Sequence, residues 1–298
     1  MLKVEHISKS YGSLKAVDDL SFTVQDGEIF GLLGENGAGK TTTFRIIMGL
    51  LDADEGSVTL NGKKIDYSIT DQIGFVTEER SLLLKMTVKE QLIFYGVLKG
   101  MSEEEVLKEM DHWLERFEIP DYKDRKIKEL SKGNQQKIQF ISAVLNHPKL
   151  LILDEPFTGL DPINVQLLKE AVWDLQKEGC SIIFSSHQME HIELFCEKLV
   201  LLVHGKSILE GYVKDIKHDY AKKNILIQGD MKKSDLEKID GVISVVKEPQ
   251  DYQVKIKNDE VVPHVFEVIK KYKIRKFVVE EPTLNEIFIA KVGEANEK

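Results

Sequence analysis

Cysteine is nearly absent from this chain: of 298 residues only Cys180 and Cys196 carry a thiol. Their spacing is not that of a metal-binding pair, and they read as two buried, reduced thiols of a cytosolic protein. Long apolar runs are missing as well. A run such as LVLLV at 199–203 falls far short of the ~20 residues that a membrane-spanning helix needs. If the protein works at a membrane, another chain must cross it. The first ten residues, MLKVEHISKS, contain no apolar signal region, which again points to the cytosol. An excess of positive charge is lacking too. Lysine and arginine number 41 against 50 acidic residues, a net charge of −9, whereas a general nucleic-acid binder is more often basic. No nucleic-acid partner is therefore expected. Internal repeats and low-complexity tracts are absent.

What is present is the texture of a folded α/β protein. Charged residues make up 31% and hydrophobic residues 42%, and the length exceeds what one compact core needs, so a large domain and a small one are expected. The stretches LKVEHIS and LSFTVQDGEIF read as strands separated by a turn at Tyr11-Gly12, and IFGLLG as a buried strand. SVTLNGKKI reads as a hairpin turning at Asn61-Gly62. From Val88 to Phe117 the apolar spacing becomes helical, a helical insertion at about 85–148. Strands at KLLILDEP, SIIFSSH and VLLVHG then alternate with helices at VQLLKEAVWDLQKE and QMEHIELFCEKL, which predicts a mainly parallel sheet. A charged connector, YVKDIKHDYAKKN, leads to a β-α-β-β-α-β order closed by a helix at LNEIFIAKV, the pattern of a split, ferredoxin-like α+β module.

The stretch GENGAGKTT, Gly34 to Thr42, fits G-x-x-x-x-G-K-[ST] between a strand and a helix. Gly37 and Gly39 let the backbone turn close to a phosphate, and the N–H groups of Gly34, Glu35, Asn36, Gly37, Ala38 and Gly39 line the cradle with a helix N-terminus behind them. Lys40 can reach the β- and γ-phosphates of a nucleotide, Thr41 can ligate Mg²⁺, and Thr42 can add a phosphate contact. LLILDEP brings Asp154 to the carboxyl end of a strand, where open α/β sheets bind ligands, as a candidate metal ligand. Glu155 follows as a candidate base for a water aimed at the γ-phosphate. His187 ends another strand of the same sheet and reads as a γ-phosphate sensor; Tyr11 offers a stacking face for adenine. LSKGNQQK at 130–137, by contrast, holds no nucleophile–base pair and no room for a metal.

Taken in order, these segments resemble the ATP-binding subunit of an ABC transporter over about residues 1–215. GENGAGKTT is similar to Walker A, LLILDEP to Walker B, TGLD at 158–161 to the D-loop, His187 to the switch histidine, and LSKGNQQK to the family signature. The resemblance implies a P-loop NTPase fold with a helical subdomain, ATP and Mg²⁺ as ligands, and ATP hydrolysis. It also explains the unreactive signature: two such domains stack head to tail, as a homodimer or a heterodimer, and Ser131 and Gly133 of one reach the γ-phosphate held by the other. A lysine at 132 and Asn134 stand where the family has Gly and Gln, and Glu78 falls where the family has a Q-loop glutamine beside the metal. The C-terminal segment from 220 to 298, above all EPTLNEIFI at 281–289, resembles sodium- and drug-efflux ATPases of the NatA-like group. The resemblance thus implies a chain attached peripherally to the cytoplasmic face of the membrane, driving a separate transmembrane permease, with export as the favoured direction. A soluble ABC ATPase acting on ribosomes or nucleic acid is the alternative, although ribosome-acting members join two cassettes. A guanine-specificity NKxD segment is missing, which disfavours a GTPase.

Overall fold

A computed structural model describes residues 1–220 and 223–296. It divides into two compact units, Met1–Glu210 and Gly211–Lys298.

The first unit opens with an antiparallel sheet. Strands β1 (Leu2–Tyr11) and β2 (Leu14–Val24) pair directly. β3 (Ile29–Gly34) and helix α1 (Lys40–Ile47) follow, and then β4 (Glu55–Leu60) and β5 (Lys63–Lys64) return to the first sheet, in the order β2-β1-β4-β5. The hairpin turn lies at Asn61-Gly62, both with positive φ (52° and 77°), as a two-residue turn between antiparallel strands requires. The apolar run LSFTVQDGEIF does not form one strand. Gly27 (φ 68°) and the Glu28 N–H bond to the Gln25 carbonyl turn the chain there, and Ile29 begins β3 in a different sheet.

β6 (Ile73–Val76) precedes the helical insertion, which is two helices, α2 (Val88–Leu98) and α3 (Glu103–Arg116), followed by α4 (Lys132–Val144). The break between α2 and α3 comes from Gly100 (φ 85°) and a new start at Ser102, whose hydroxyl and Glu105 form a capping box; Thr87 and Glu90 do the same for α2. Trp113, Phe117 and Phe140 form an aromatic core for these helices, with ring centroids 5.7–5.9 Å apart.

β7 (Leu150–Asp154), α5 (Pro162–Lys177), β8 (Ser181–Ser185), α6 (Met189–Phe195) and β9 (Lys198–Val203) follow, and β10 (Lys206–Tyr212) runs across the boundary between the units at Glu210. The helix at QMEHIELFCEKL ends early because Lys198 already belongs to β9. β10 escaped sequence reading because its residues alternate weakly between exposed and half-buried. The second sheet runs β10-β9-β3-β8-β7-β6, and its pairs from β9 to β6 are parallel. α1 supplies Phe44 and Ile47 to one continuous core with Phe22 of the antiparallel sheet and Leu32 and Ile152 of the parallel one. Each such side chain contributes about 1.5–3 kcal/mol by burial.

The second unit begins with α7 (Val213–Asp219), which replaces the charged connector expected from sequence; Val213 is buried there. Ala221 and Lys222 of that segment lie outside the described residues. β11 (Lys223–Gly229), α8 (Lys233–Glu237), β12 (Val242–Lys247), β13 (Tyr252–Ile256), α9 (Val261–Ile269) and β14 (Ile274–Glu280) form a wholly antiparallel sheet, β12-β13-β11-β14. This is the order that a split β-α-β module requires. Ile225, Ile227, Val254, Ile256, Val265 and Ile269 fill its core. The closing helix α10 (Leu284–Asn296) is pinned by Glu286, which accepts hydrogen bonds from Asn224 (2.7 Å), Lys255 (2.9 Å) and the Thr283 N–H (3.0 Å).

Candidate active site

The carboxyl ends of β3, β6, β7 and β8 open onto one place, and every catalytic side chain expected from sequence hangs from them. The strand order β3-β8-β7 separates the phosphate loop from Asp154 by one strand, β8. Such a crossover leaves a crevice at the strand ends.

β3 ends at Gly34, and Glu35 to Gly39 form the loop that leads into α1. Gly37 (φ 84°) and Gly39 (φ 106°) take left-handed backbone, and a Cβ on Gly39 would run into the Ala16 carbonyl oxygen, so no other residue fits there. Lys40 Nζ donates to the Gly34 carbonyl (2.6 Å) and the Glu35 carbonyl (3.2 Å), which holds its charge at the mouth of the loop. α1 has no side-chain cap and no acid in its first turn, so its N-terminal N–H groups face outward for an anion. Thr41 is exposed and Thr42 half-buried, while the next residue, Thr43, is buried and bonds back to the Gly39 carbonyl (3.0 Å).

Asp154 stands at the end of β7. Its Oδ1 accepts from Ser185 Oγ of the neighbouring strand at 2.5 Å. Burial pushes its carboxyl above the usual aspartate value; the Ser185 hydroxyl and the Lys40 charge oppose that push, and the Glu78 charge adds to it. Lys40 and Glu78 thus both act on the Asp154 carboxyl, which places the three at one site. Glu155 follows with a left-handed backbone (φ 51°), rare for a residue with a Cβ. That turn sends its side chain away from that of Asp154. Glu155 Oε2 lies 2.8 Å from His187 Nδ1, and Ser186 Oγ donates to it at 3.4 Å. Glu155 is 9% exposed and His187 65%, so the histidine covers the carboxylate from the solvent side.

Ser131 caps α4, accepting from the Asn134 N–H at 3.3 Å. Gly133 abuts the D-loop: a Cβ there would lie 3.1 Å from Asn164 Nδ2, and Asn164 is itself held by Asp161. Among the described residues, no hydrogen bond or ion pair joins Ser131 or Gly133 to Gly34–Thr42 of the same chain. Tyr11 sits at the β1–β2 turn, 47% exposed. Ser185, Ser186 and Gln139 escaped sequence reading. Ser185 and Ser186 lay in plain view in SIIFSSH, but only the strand order sets them beside Asp154 and Glu155.

Comparison with known proteins agrees with this arrangement. Residues 17–158 match the family described as ABC transporter, and residues 211–292 match the family described as ATP-binding protein DrrA1-3-like, C-terminal domain. The chain is 50% identical over 294 residues to the uncharacterized ABC transporter ATP-binding protein YhaQ of Bacillus subtilis (strain 168), covering 98% of this chain and 99% of that one. It is 35% identical to the ABC transporter ATP-binding protein NatA of the same organism, over 68% of this chain and 84% of NatA. Among solved structures, one described as the ATP binding subunit of an ABC transporter superposes with a TM-score of 0.69 at 31% identity, covering 74% of this chain and 93% of that chain. A P-loop ATPase site on this fold defines the class: an ATP-binding, ATP-hydrolysing protein. Within that class, the chain belongs to the ATP-binding subunits of ABC transporters, whose hydrolysis is coupled to transmembrane transport. Among the described residues no helix is long and apolar enough to cross a membrane.

Proposed function

We propose that this chain powers a separate membrane permease for export, and that ATP is bound between two cassettes stacked head to tail. The observation that carries the mechanism is the Glu155–His187 contact, 2.8 Å, beside the Asp154–Lys40 site. Gly34, Glu35, Asn36, Gly37, Ala38 and Gly39 cradle the phosphates, Thr42 adds a contact, and Tyr11 stacks on adenine. Lys40 neutralises the β- and γ-phosphates. The excess of carboxylate over ammonium at this site fits a divalent cation, and Thr41, Asp154 and Glu78 would hold Mg²⁺ there; when bound, it supplies charge neutralisation on the phosphates. Glu155 takes the proton of a water as the water oxygen bonds to the γ-phosphorus. The bond from that phosphorus to the bridging oxygen breaks, and ADP leaves with the electron pair. His187 orients Glu155 and senses the γ-phosphate.

The signature supports assembly in trans. α4 carries no acid in its first turn, and among the described residues its N-terminus, Ser131 and Gly133 make no bond to this chain's own phosphate loop. They are thus available to a γ-phosphate held by a second copy or a close relative. A groove of about 290 Å³ lined by Met48, Leu50, Phe75 and Tyr95 supports docking of a permease. Exposed Phe94, Val97 and Leu98 on α2 extend its apolar surface. Attachment would be to the cytoplasmic face of the membrane, from residues 1–215 through the helices at 85–148, with 220–298 as an accessory domain. Export rests on the resemblance of EPTLNEIFI to efflux ATPases, and the match of residues 211–292 to the family described as ATP-binding protein DrrA1-3-like, C-terminal domain, supports it.

Glu155→Gln tests the reading. Its turnover is expected to fall at least about a hundredfold, as for loss of a general base, and ATP should then hold a dimer on size exclusion. Near-normal turnover would remove Glu155 from its role.

A further inference from the structure

One amide ties the signature helix to the loop that carries Glu78. Gln139 lies in α4 eight residues beyond Ser131, about 12 Å along the axis at the α-helical rise. It is buried, 5% exposed. Its Nε2 donates to the Thr77 carbonyl (3.0 Å) and to Thr77 Oγ1 (2.9 Å), with the Glu79 carbonyl at 3.5 Å. Thr77 Oγ1 donates in turn to the Glu79 carbonyl and lies 3.2 Å from Ser81 Oγ. The backbone on both sides of Glu78 is therefore held by one side chain of α4. Only a side chain with two N–H donors meets this set of acceptors at that length; a carboxylate would face them with none. On its other side the same loop is bounded by Arg80, whose guanidinium lies next to Gly159 of the D-loop.

α4 does not need this bond to stay in the helical subdomain. Lys137 Nζ donates to the Phe117 carbonyl (2.9 Å), and Gln91 Nε2 to Ser142 Oγ (3.2 Å). The Gln139 bonds are instead the ones by which α4 itself reaches the residues on either side of Glu78; Gln91 of α2 holds the same loop farther on, accepting from the Leu83 N–H at 2.8 Å. Resting on the function proposed above, we infer that Gln139 is a positioning residue: it makes the Glu78 loop and the signature helix move together, so that occupancy of one ATP site sets the pose of the Ser131 and Gly133 surface presented to the other. Movement of Glu78 toward nucleotide pulls Thr77 and Glu79 with it, and through the amide it turns a stiff helix of 13 residues.

The test uses the full chain. Hydrolysis by wild type, its loss in Glu155→Gln and the ATP-held dimer of that variant test the underlying reading by themselves, so the Gln139 series decides only the tie. Gln139→Leu keeps the volume and removes both donors. It is expected to leave ATP affinity, titrated with a fluorescent ATP analogue, within about twofold, because no phosphate contact changes. It should lower kcat about tenfold, the rate equivalent of one lost hydrogen bond, and abolish cooperativity in ATP. Gln139→Glu should lower kcat further. Thr77→Ser, which keeps both acceptors, should restore wild-type behaviour as the conservative control. Wild-type kcat and cooperativity in Gln139→Leu would overturn the inference. So would a parallel fall of affinity, kcat and thermal midpoint, which marks a merely structural role. Should Gln139→Leu not fold, Thr77→Val removes the hydroxyl acceptor from the loop side; reduced kcat with intact affinity supports the tie, and wild-type kinetics refute it.

Discussion

Asp154 illustrates how much a single residue depends on its neighbours. It must be ionised to hold a cation, yet burial raises its pKa, helped by Glu78 and opposed by Ser185 and Lys40. As pH falls, the raised value means that Asp154 takes up its proton earlier than an ordinary aspartate, so kcat/KM should show an acid limb set by this group. Ser185→Ala deletes the hydrogen bond that holds the pKa down, so the limb should move to higher pH. Glu78→Gln deletes a charge that pushes it up, so the limb should move to lower pH. Profiles of kcat/KM against pH for the three proteins check the signs, and limbs that move together would assign the titration elsewhere. Asp154, Glu155 and His187 are legible in the sequence because each lies at or just past the end of an apolar strand, and Glu78 because it falls where the resembled family has its Q-loop glutamine. Their mutual geometry was not legible there, because the strand order is a property of the sheet and not of the chain.

The elements were readable where burial imposes a clean period and blurred where it does not. β7 and β8 are buried along most of their length and read as short apolar runs. β10 and α7 are edge or surface elements, and their charged faces hide the pattern. The motif EPTLNEIFI is legible in the sequence as a family resemblance, whereas its physical task is visible only in the structure. Thr283 and Glu286 cap α10, and Glu286 reaches Asn224 and Lys255 on two strands. Burial alone would raise the Glu286 pKa, but the bonds from Lys255, Thr283 and Asn224 hold it below the usual glutamate value. A depressed carboxylate contributes stability above its unfolded pKa and loses it as pH falls toward the folded one. Protection factors of the β11 amides, Lys223–Gly229, that is, exchange rates corrected for the intrinsic pH dependence, should therefore fall on acidification in wild type and depend less on pH in Glu286→Gln. The helical subdomain has a different dependence. Phe140 is fully buried against Trp113 and Phe117, so Phe140→Ala should cost about 3–5 kcal/mol, read as a loss of exchange protection in α3 and α4. Protection that stays at the wild-type level in both helices would show that the aromatic cluster does not hold them.

At the scale of the whole molecule the two units make separate demands on the chain. The phosphate loop, Asp154, Glu155 and His187 all lie in Met1–Glu210, and the ferredoxin-like module has its own apolar core. A separate core is what allows a domain to fold independently. The sequence placed the boundary between 215 and 220, in what reads as a charged connector. The structure puts α7 with the second unit, so a cut inside 213–219 would strand Val213, which is buried. A chain ending at Tyr212 keeps β10 whole as the edge of the parallel sheet. That chain should bind ATP with an affinity within about twofold of the full protein, since no residue of the cradle is lost. A chain ending at Asp219 exposes α7 without its packing partners and should be more prone to aggregate. Titration of both truncations decides the matter. If the 1–212 chain fails to bind nucleotide while remaining folded by circular dichroism, the C-terminal unit shapes the ATP site and is more than an accessory to it.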